Sequence, residues 1–146
     1  MIWRSKLSVL AFAAMVAGIV GLLYRGPLFV PSPLVIACQV AAVGLMLWAR
    51  ITFGRRSFHA AASPTAGGVV RTGPYAYLRH PIYTAGCLFV WPPAMHAHTP
   101  LALGCAALVT AGAIVRMLCE EALLVQQYPD YADYARTTKR MVPYVF

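Results

Sequence analysis

Acidic side chains are scarce in this sequence, with four Asp and Glu against 12 Lys and Arg in 146 residues. Charge of either sign is thin: charged residues make up 11% of the chain, where a soluble domain averages roughly 25%. A short chain has a high surface-to-volume ratio, and so few charges cannot cover a water-facing surface. The surrounding solvent must be partly lipid. Paired cysteine motifs are missing too. Cys38, Cys87, Cys105 and Cys119 lie within apolar runs with no C-x-x-C spacing, so no disulfide framework or zinc site is expected. They read as small packing residues. Internal repeats and low-complexity segments are also lacking.

What fills the chain instead is apolar: 60% of its residues are hydrophobic. The first apolar run spans 7–24 and follows Arg4 and Lys6, a pattern shared with secretory signal peptides. It is long for such a signal, and further apolar runs follow it. The second covers 28–49, with Pro31 and Pro33 suited to a helix start. The third begins at Pro81 and reaches Trp91, where Pro92-Pro93 is expected to end or kink it. The fourth runs from Pro100 to about Leu118. These runs predict an all-α integral membrane bundle of about four spans (7–24, 28–49, 81–95 and 100–118) in a single domain over 1–146. The third run is short for a span, which takes about 20 residues.

The formal net charge of +8 reads first as a topology signal rather than a nucleic-acid surface, and no nucleic-acid partner is expected. With the N-terminus inside, Arg4, Lys6, Arg50, Arg55, Arg56, Arg71, Arg79, Arg136, Lys139 and Arg140 fall on the cytoplasmic side, and Arg25 outside. Segments 50–80 and 119–146 then share the cytoplasmic face with both termini. The second is expected to hold a helix from about Glu120 to Gln127, a break at Pro129, and a helical stretch from Tyr131 to Lys139. His96 and His98 fall on an outer loop. They are too few to make a metal site, so no metal is expected.

Two clusters carry chemistry. The first is the block from Arg71 to Tyr83, in which two arginines and His80 alternate with Tyr75, Tyr77 and Tyr83. An interfacial aromatic belt accounts for such composition, but a belt requires neither the Gly73-Pro74 turn nor Pro81. That proline holds His80 in extended geometry and fixes the start of the next helix. The second cluster is Glu120-Glu121, two of the four acidic residues, placed at the inner end of a helix where its dipole does not favour them. Arg116 pairs with Glu120 at i, i+4, an arrangement that leaves Glu121 pointing elsewhere. An ionisable cluster at a membrane surface is a functional site by default. Apposed, these clusters would form a pocket of both charge signs, suited to a zwitterionic ligand with a planar ring. Tyr131 and Tyr134 share a helical face beyond it, a stripe that also suits packing or headgroup anchoring.

At these residues the sequence resembles the isoprenylcysteine carboxyl methyltransferase and phospholipid N-methyltransferase superfamily. The resemblance rests on Gly73-Pro74-Tyr75, Arg79-His80-Pro81-Ile82-Tyr83, Glu120-Glu121, Tyr131-Ala132-Asp133-Tyr134 and Arg140-Met141-Val142-Pro143, in that order. It covers roughly half of the chain. One departure is Ala85, where many members carry glycine.

The resemblance implies an enzyme that transfers a methyl group from S-adenosylmethionine at the cytoplasmic membrane surface. The acceptor would be lipophilic and arrive from the bilayer. Tyr75, Arg79, His80, Pro81, Tyr83, Glu120 and Glu121 would hold the cofactor. Tyr131, Tyr134, Arg136 and Arg140 would face the acceptor, and His80 and Arg140 would act in catalysis. Methyl transfer from a sulfonium needs alignment of donor and acceptor rather than a metal or covalent nucleophile. Two other readings share these features: an NADPH-dependent reductase of the sterol-reductase type, and a membrane scaffold protein without activity.

Overall fold

The computed structural model of the chain describes residues 2–26, 28–54, 68–142 and 146. Arg55, Arg56 and Pro143, which the sequence reading used for topology and motif, lie outside the described residues.

Among the described residues the architecture is helical: α1 (Ile2–Tyr24), α2 (Pro33–Phe53), a 3-10 turn (Gly73–Ala76), α3 (Pro81–Ala97), α4 (Pro100–Gln127) and α5 (Tyr131–Thr137). Three helices, α1, α2 and α4, are long and apolar enough to cross a membrane. Their outward side chains are large and apolar, as with Leu10 (67% exposed), Leu34 (73%) and Val40 (66%). Such surfaces suit lipid, where backbone polar groups must be satisfied within the helix. The third expected span differs. With 17 residues, α3 rises about 26 Å at 1.5 Å per residue, short of a hydrocarbon core of about 30 Å.

Helix α1 lies antiparallel along α4, and small residues allow the close approach. A Cβ added at Gly112 would sit 2.7 Å from the Ala11 carbonyl oxygen, and one at Gly18 would sit 2.7 Å from that of Cys105. Helix α3 packs between α2 and α4. Trp91 Nε1 donates to Thr110 Oγ1 at 2.8 Å, linking α3 to α4.

Pro92-Pro93 does not end α3, which continues to Ala97. Without an N–H, Pro93 leaves the carbonyl of Phe89, four residues earlier, without its helical donor. The Gln39 side chain of α2 supplies one, donating to Phe89 O at 3.4 Å and to Leu28 O at 2.8 Å. A polar residue inside an apolar helix thus satisfies backbone acceptors on its neighbours. The helix stops at His98, which adopts a left-handed conformation (φ 52°). Thr99 then caps α4 by accepting from Ala102 N, with Pro100 in the first turn.

Helix α4 also departs from expectation. It runs unbroken through Leu118 and the acidic pair to Gln127, because nothing between them breaks a helix. At about 1.5 Å per residue its 28 residues span about 42 Å, so one end must emerge from the hydrocarbon. The break before Pro129 holds, and α5 ends at Thr137 rather than Lys139.

Candidate functional site

The antiparallel order of the helices brings the end of α2, the start of α3 and the end of α4 to one end of the bundle. Gly73 (φ 58°) opens the 3-10 turn. A Cβ there would lie 2.6 Å from Thr52 Oγ1 of α2, so glycine serves both the turn and the close approach. From the turn, residues 77–80 run parallel to 139–141. Arg79 N donates to Lys139 O (2.7 Å) and His80 N to Arg140 O (2.9 Å).

His80 departs from the extended geometry expected before proline, with ψ at 56°. Its carbonyl turns to accept from the backbone of Tyr83 and Thr84, both at 3.1 Å, and so begins α3. Thr84 Oγ1 donates to Met141 O at 2.7 Å, fastening the C-terminal segment to α3.

Neighbouring positions on a helix diverge by about 100°, and Glu120 and Glu121 use that divergence to face different partners. Glu121 faces the 77–80 segment and the C-terminal segment. Its Oε1 accepts from Arg79 Nε (2.9 Å) and lies 3.2 Å from His80 Nε2, and its Oε2 accepts from Arg140 Nε (3.0 Å). Glu120 faces α3. Its Oε1 accepts from the Tyr83 hydroxyl (2.5 Å) and lies 3.2 Å from Arg116 Nε. Arg116 Nε in turn donates to the Tyr83 hydroxyl at 2.7 Å. The His80 and Tyr83 rings stack, with centroids 5.7 Å apart. His80 Nδ1 is 3.8 Å from Glu120 Oε2, so the imidazole sits between the two carboxylates.

The structure therefore gathers Arg79, His80, Pro81, Tyr83, Glu120, Glu121 and Arg140 into one cluster. Arg79 also donates to the carbonyls of Ala135 and Thr138, so it braces the C-terminal segment as well as Glu121. Tyr75 and Tyr134 form a neighbouring brace. The Tyr134 hydroxyl donates to Tyr75 O at 2.6 Å, and the Tyr75 ring packs against Phe53 of α2. Tyr131 is buried and meets Tyr134 edge to face, with centroids 5.9 Å apart. Arg136 is not brought in. Its side chain is 82% exposed and pairs with Asp133 at 3.7 Å. The cleft lined by Thr52, Phe53 and residues 69–72 lies toward α2, and none of the acidic pair's partners lines it.

Two contributors escape the sequence motifs. Arg116 joins Glu120 to Tyr83, and only its i, i+4 spacing signals half of that role. Phe12 of α1 lies under the Arg116 guanidinium, 5.1 Å from ring centroid to Cζ; no sequence pattern marks it. Three guanidiniums thus surround two carboxylates inside an apolar bundle, where charges persist only when paired.

The sequence profile of one family, described as phospholipid methyltransferase, matches residues 29–131. The chain belongs to the phospholipid methyltransferase family. The matched region of this family member includes the Arg79–Tyr83 block and both glutamates, and leaves α1 and Arg140 outside. A curated relative, the nickel-cobalt-cadmium resistance protein NccN of Alcaligenes xylosoxydans xylosoxydans, is 33% identical over 107 residues. That alignment covers 71% of this chain, and the chain spans 45% of the relative's length. No solved structure matches. Among the described residues, no group of three or more His, Cys, Asp or Glu is placed to hold a metal ion.

Proposed function

We propose that this membrane methyltransferase family member takes its methyl group from S-adenosylmethionine and delivers it to a lipophilic acceptor from the bilayer. The carrying observation is the junction at Glu121, which joins the Arg-His-Pro-Ile-Tyr block, α4 and Arg140 at one end of the bundle. In this reading that end faces the cytoplasm, in keeping with the clustering of arginine in residues 50–80 and 136–140.

The side chains present fit such a cofactor. It is a zwitterion at one end and a nucleoside at the other, and the cluster offers carboxylates, guanidiniums and aromatic faces together. Glu120 Oε2 lies 3.8 Å from the His80 ring, and in this reading it accepts from a ligand ammonium or hydroxyl. When bound, S-adenosylmethionine supplies an activated methyl on a sulfonium. Transfer would leave a neutral thioether, so the residues around it would need only to hold donor and acceptor in line.

The chain's own work is positional. Arg79 fixes Glu121, and Arg116 and Tyr83 fix Glu120, so neither carboxylate must reorganise when a ligand arrives. Arg140, with its side chain 35% exposed, orients an anionic acceptor through a charge-assisted hydrogen bond. For an amine or thiol acceptor a proton must leave, and the His80 imidazole, set between the two carboxylates, is the side chain placed to take it.

The test is transfer of a labelled methyl group from S-adenosylmethionine into membranes supplied with a lipid amine, a lipid carboxylate, a hydrophobic thiol and a prenylated cysteine. Label in one of these extracted acceptors supports the reading. Label in none, from protein that is folded, overturns it.

A further inference from the structure

Among the described residues, the Tyr131 hydroxyl is buried and has no hydrogen-bond partner. Tyr131 is 2% exposed, and its companion Tyr134, three positions on, does engage a carbonyl with its own hydroxyl. Helix α5 is thus able to satisfy a buried phenol, and at Tyr131 it does not. Leaving a buried hydroxyl unpaired is costly, and such a group makes sense where a bound molecule completes the pairing.

Its surroundings indicate which part of a molecule. Burial pushes the Tyr131 phenol above its ordinary range, and the Glu121 carboxylate adds to that rise while Arg79 opposes it. The phenol is therefore a neutral donor, and it stands on the helix whose Ala135 carbonyl accepts from Arg79 while Arg79 Nε meets Glu121. A region carrying Glu121 and Arg79 suits a group with an ammonium and a carboxylate, and suits a purine poorly.

We infer that the Tyr131 hydroxyl donates a hydrogen bond to the amino-acid end of the S-adenosyl donor, beside Glu121. This deepens the proposed methyl-donor reading and rests on it. The hydroxyl positions the donor's zwitterionic end and takes no part in bond making.

Tyr131→Phe tests this directly, since it keeps the ring and its edge contact with Tyr134 and removes only the oxygen. The full chain in detergent is titrated with S-adenosylhomocysteine and with 5′-methylthioadenosine, which lacks the amino-acid end. Ligand-free Tm is read alongside. The expected result is an unchanged or higher ligand-free Tm, because no protein hydrogen bond is lost. Affinity for S-adenosylhomocysteine falls about tenfold or more, and affinity for methylthioadenosine stays the same. Equal affinity of variant and wild type for S-adenosylhomocysteine overturns the inference while leaving the donor reading intact. A lower ligand-free Tm also overturns it, by showing the hydroxyl already engaged in the free protein. So does an equal loss for both ligands, which would move the contact to the nucleoside. Wild-type protein that binds neither ligand removes the donor reading, and this inference with it.

Discussion

Arg79 and Glu121, 42 positions apart in sequence, meet through a 2.9 Å contact between Nε and Oε1. Both side chains are largely sheltered, at 9% and 12% exposure. Because Arg79 also holds the carbonyls of Ala135 and Thr138, this pair joins the approach to α3, the end of α4 and the C-terminal segment. Glu121 adds Arg140 to the junction. One carboxylate therefore serves both the packing of this end of the bundle and the electrostatics of the candidate site.

Glu121→Gln keeps the shape and removes the charge, leaving Arg79 and Arg140 without their anion. Removing one partner of a sheltered ion pair costs roughly 3 kcal/mol or more when it is fully buried; the partial exposure of Arg140 lowers that. The expected outcome is a folded protein of lower Tm whose methyl transfer is lost. Thermal unfolding in detergent, set beside labelled methyl transfer, checks both halves.

His80→Ala removes the imidazole between the two carboxylates and the ring stacked on Tyr83. Its backbone bond to Arg140 O survives the change, so the fold persists. Turnover is expected to fall by about 100-fold or more, measured at saturating donor. Wild-type turnover in this variant would take His80 out of the mechanism.

Arg71 and Asp130 form a short pair at 2.6 Å, but their side chains are 44% and 62% exposed. Exposed pairs contribute about 0–1 kcal/mol. Asp130→Asn should therefore leave Tm nearly unchanged, in contrast to Glu121→Gln. A loss as large as that of Glu121→Gln would show that exposure is a poor guide in this bundle.

Gly112→Val tests the α1–α4 seam away from the site. Even a Cβ at this position would lie 2.7 Å from a backbone oxygen of α1, and backbone cannot swing aside. Overpacking of this kind costs roughly 1–3 kcal/mol, read as a drop in Tm or in resistance to denaturing detergent. An unaffected Tm would mean that the two helices separate freely.

Much of this is legible in the sequence. Apolar runs and proline positions marked where α1, α2 and α4 lie, and the juxtaposition of Arg79 and His80 with Glu120 and Glu121 followed from putting both soluble segments at one end. What sequence did not reveal depended on partners distant in the chain. Pro92-Pro93 reads as a helix stop or kink until Gln39, more than fifty positions earlier, is seen donating to the carbonyl that Pro93 leaves open. The acidic pair looked like the start of a new helix, because its charge broke the apolar pattern; the backbone simply continues through it to Gln127. Arg136 shares the arginine-rich tail with Arg140, yet it points outward, since the tail's alignment with residues 77–80 begins only beyond α5. The spacing of Tyr134 suits packing or headgroup anchoring and only the family resemblance makes it a binding residue; its bond to the Tyr75 carbonyl shows the structural task it performs.

The most direct measurement is the Tm of the full chain in detergent with S-adenosylhomocysteine or NADPH added, in wild type and in Glu121→Gln, because a ligand raises the melting temperature of the state it binds. If the two clusters together enclose a methyl donor, S-adenosylhomocysteine raises the wild-type Tm, Glu121→Gln loses that rise, and NADPH does nothing to either. A wild-type Tm that responds to NADPH and ignores S-adenosylhomocysteine would contradict it.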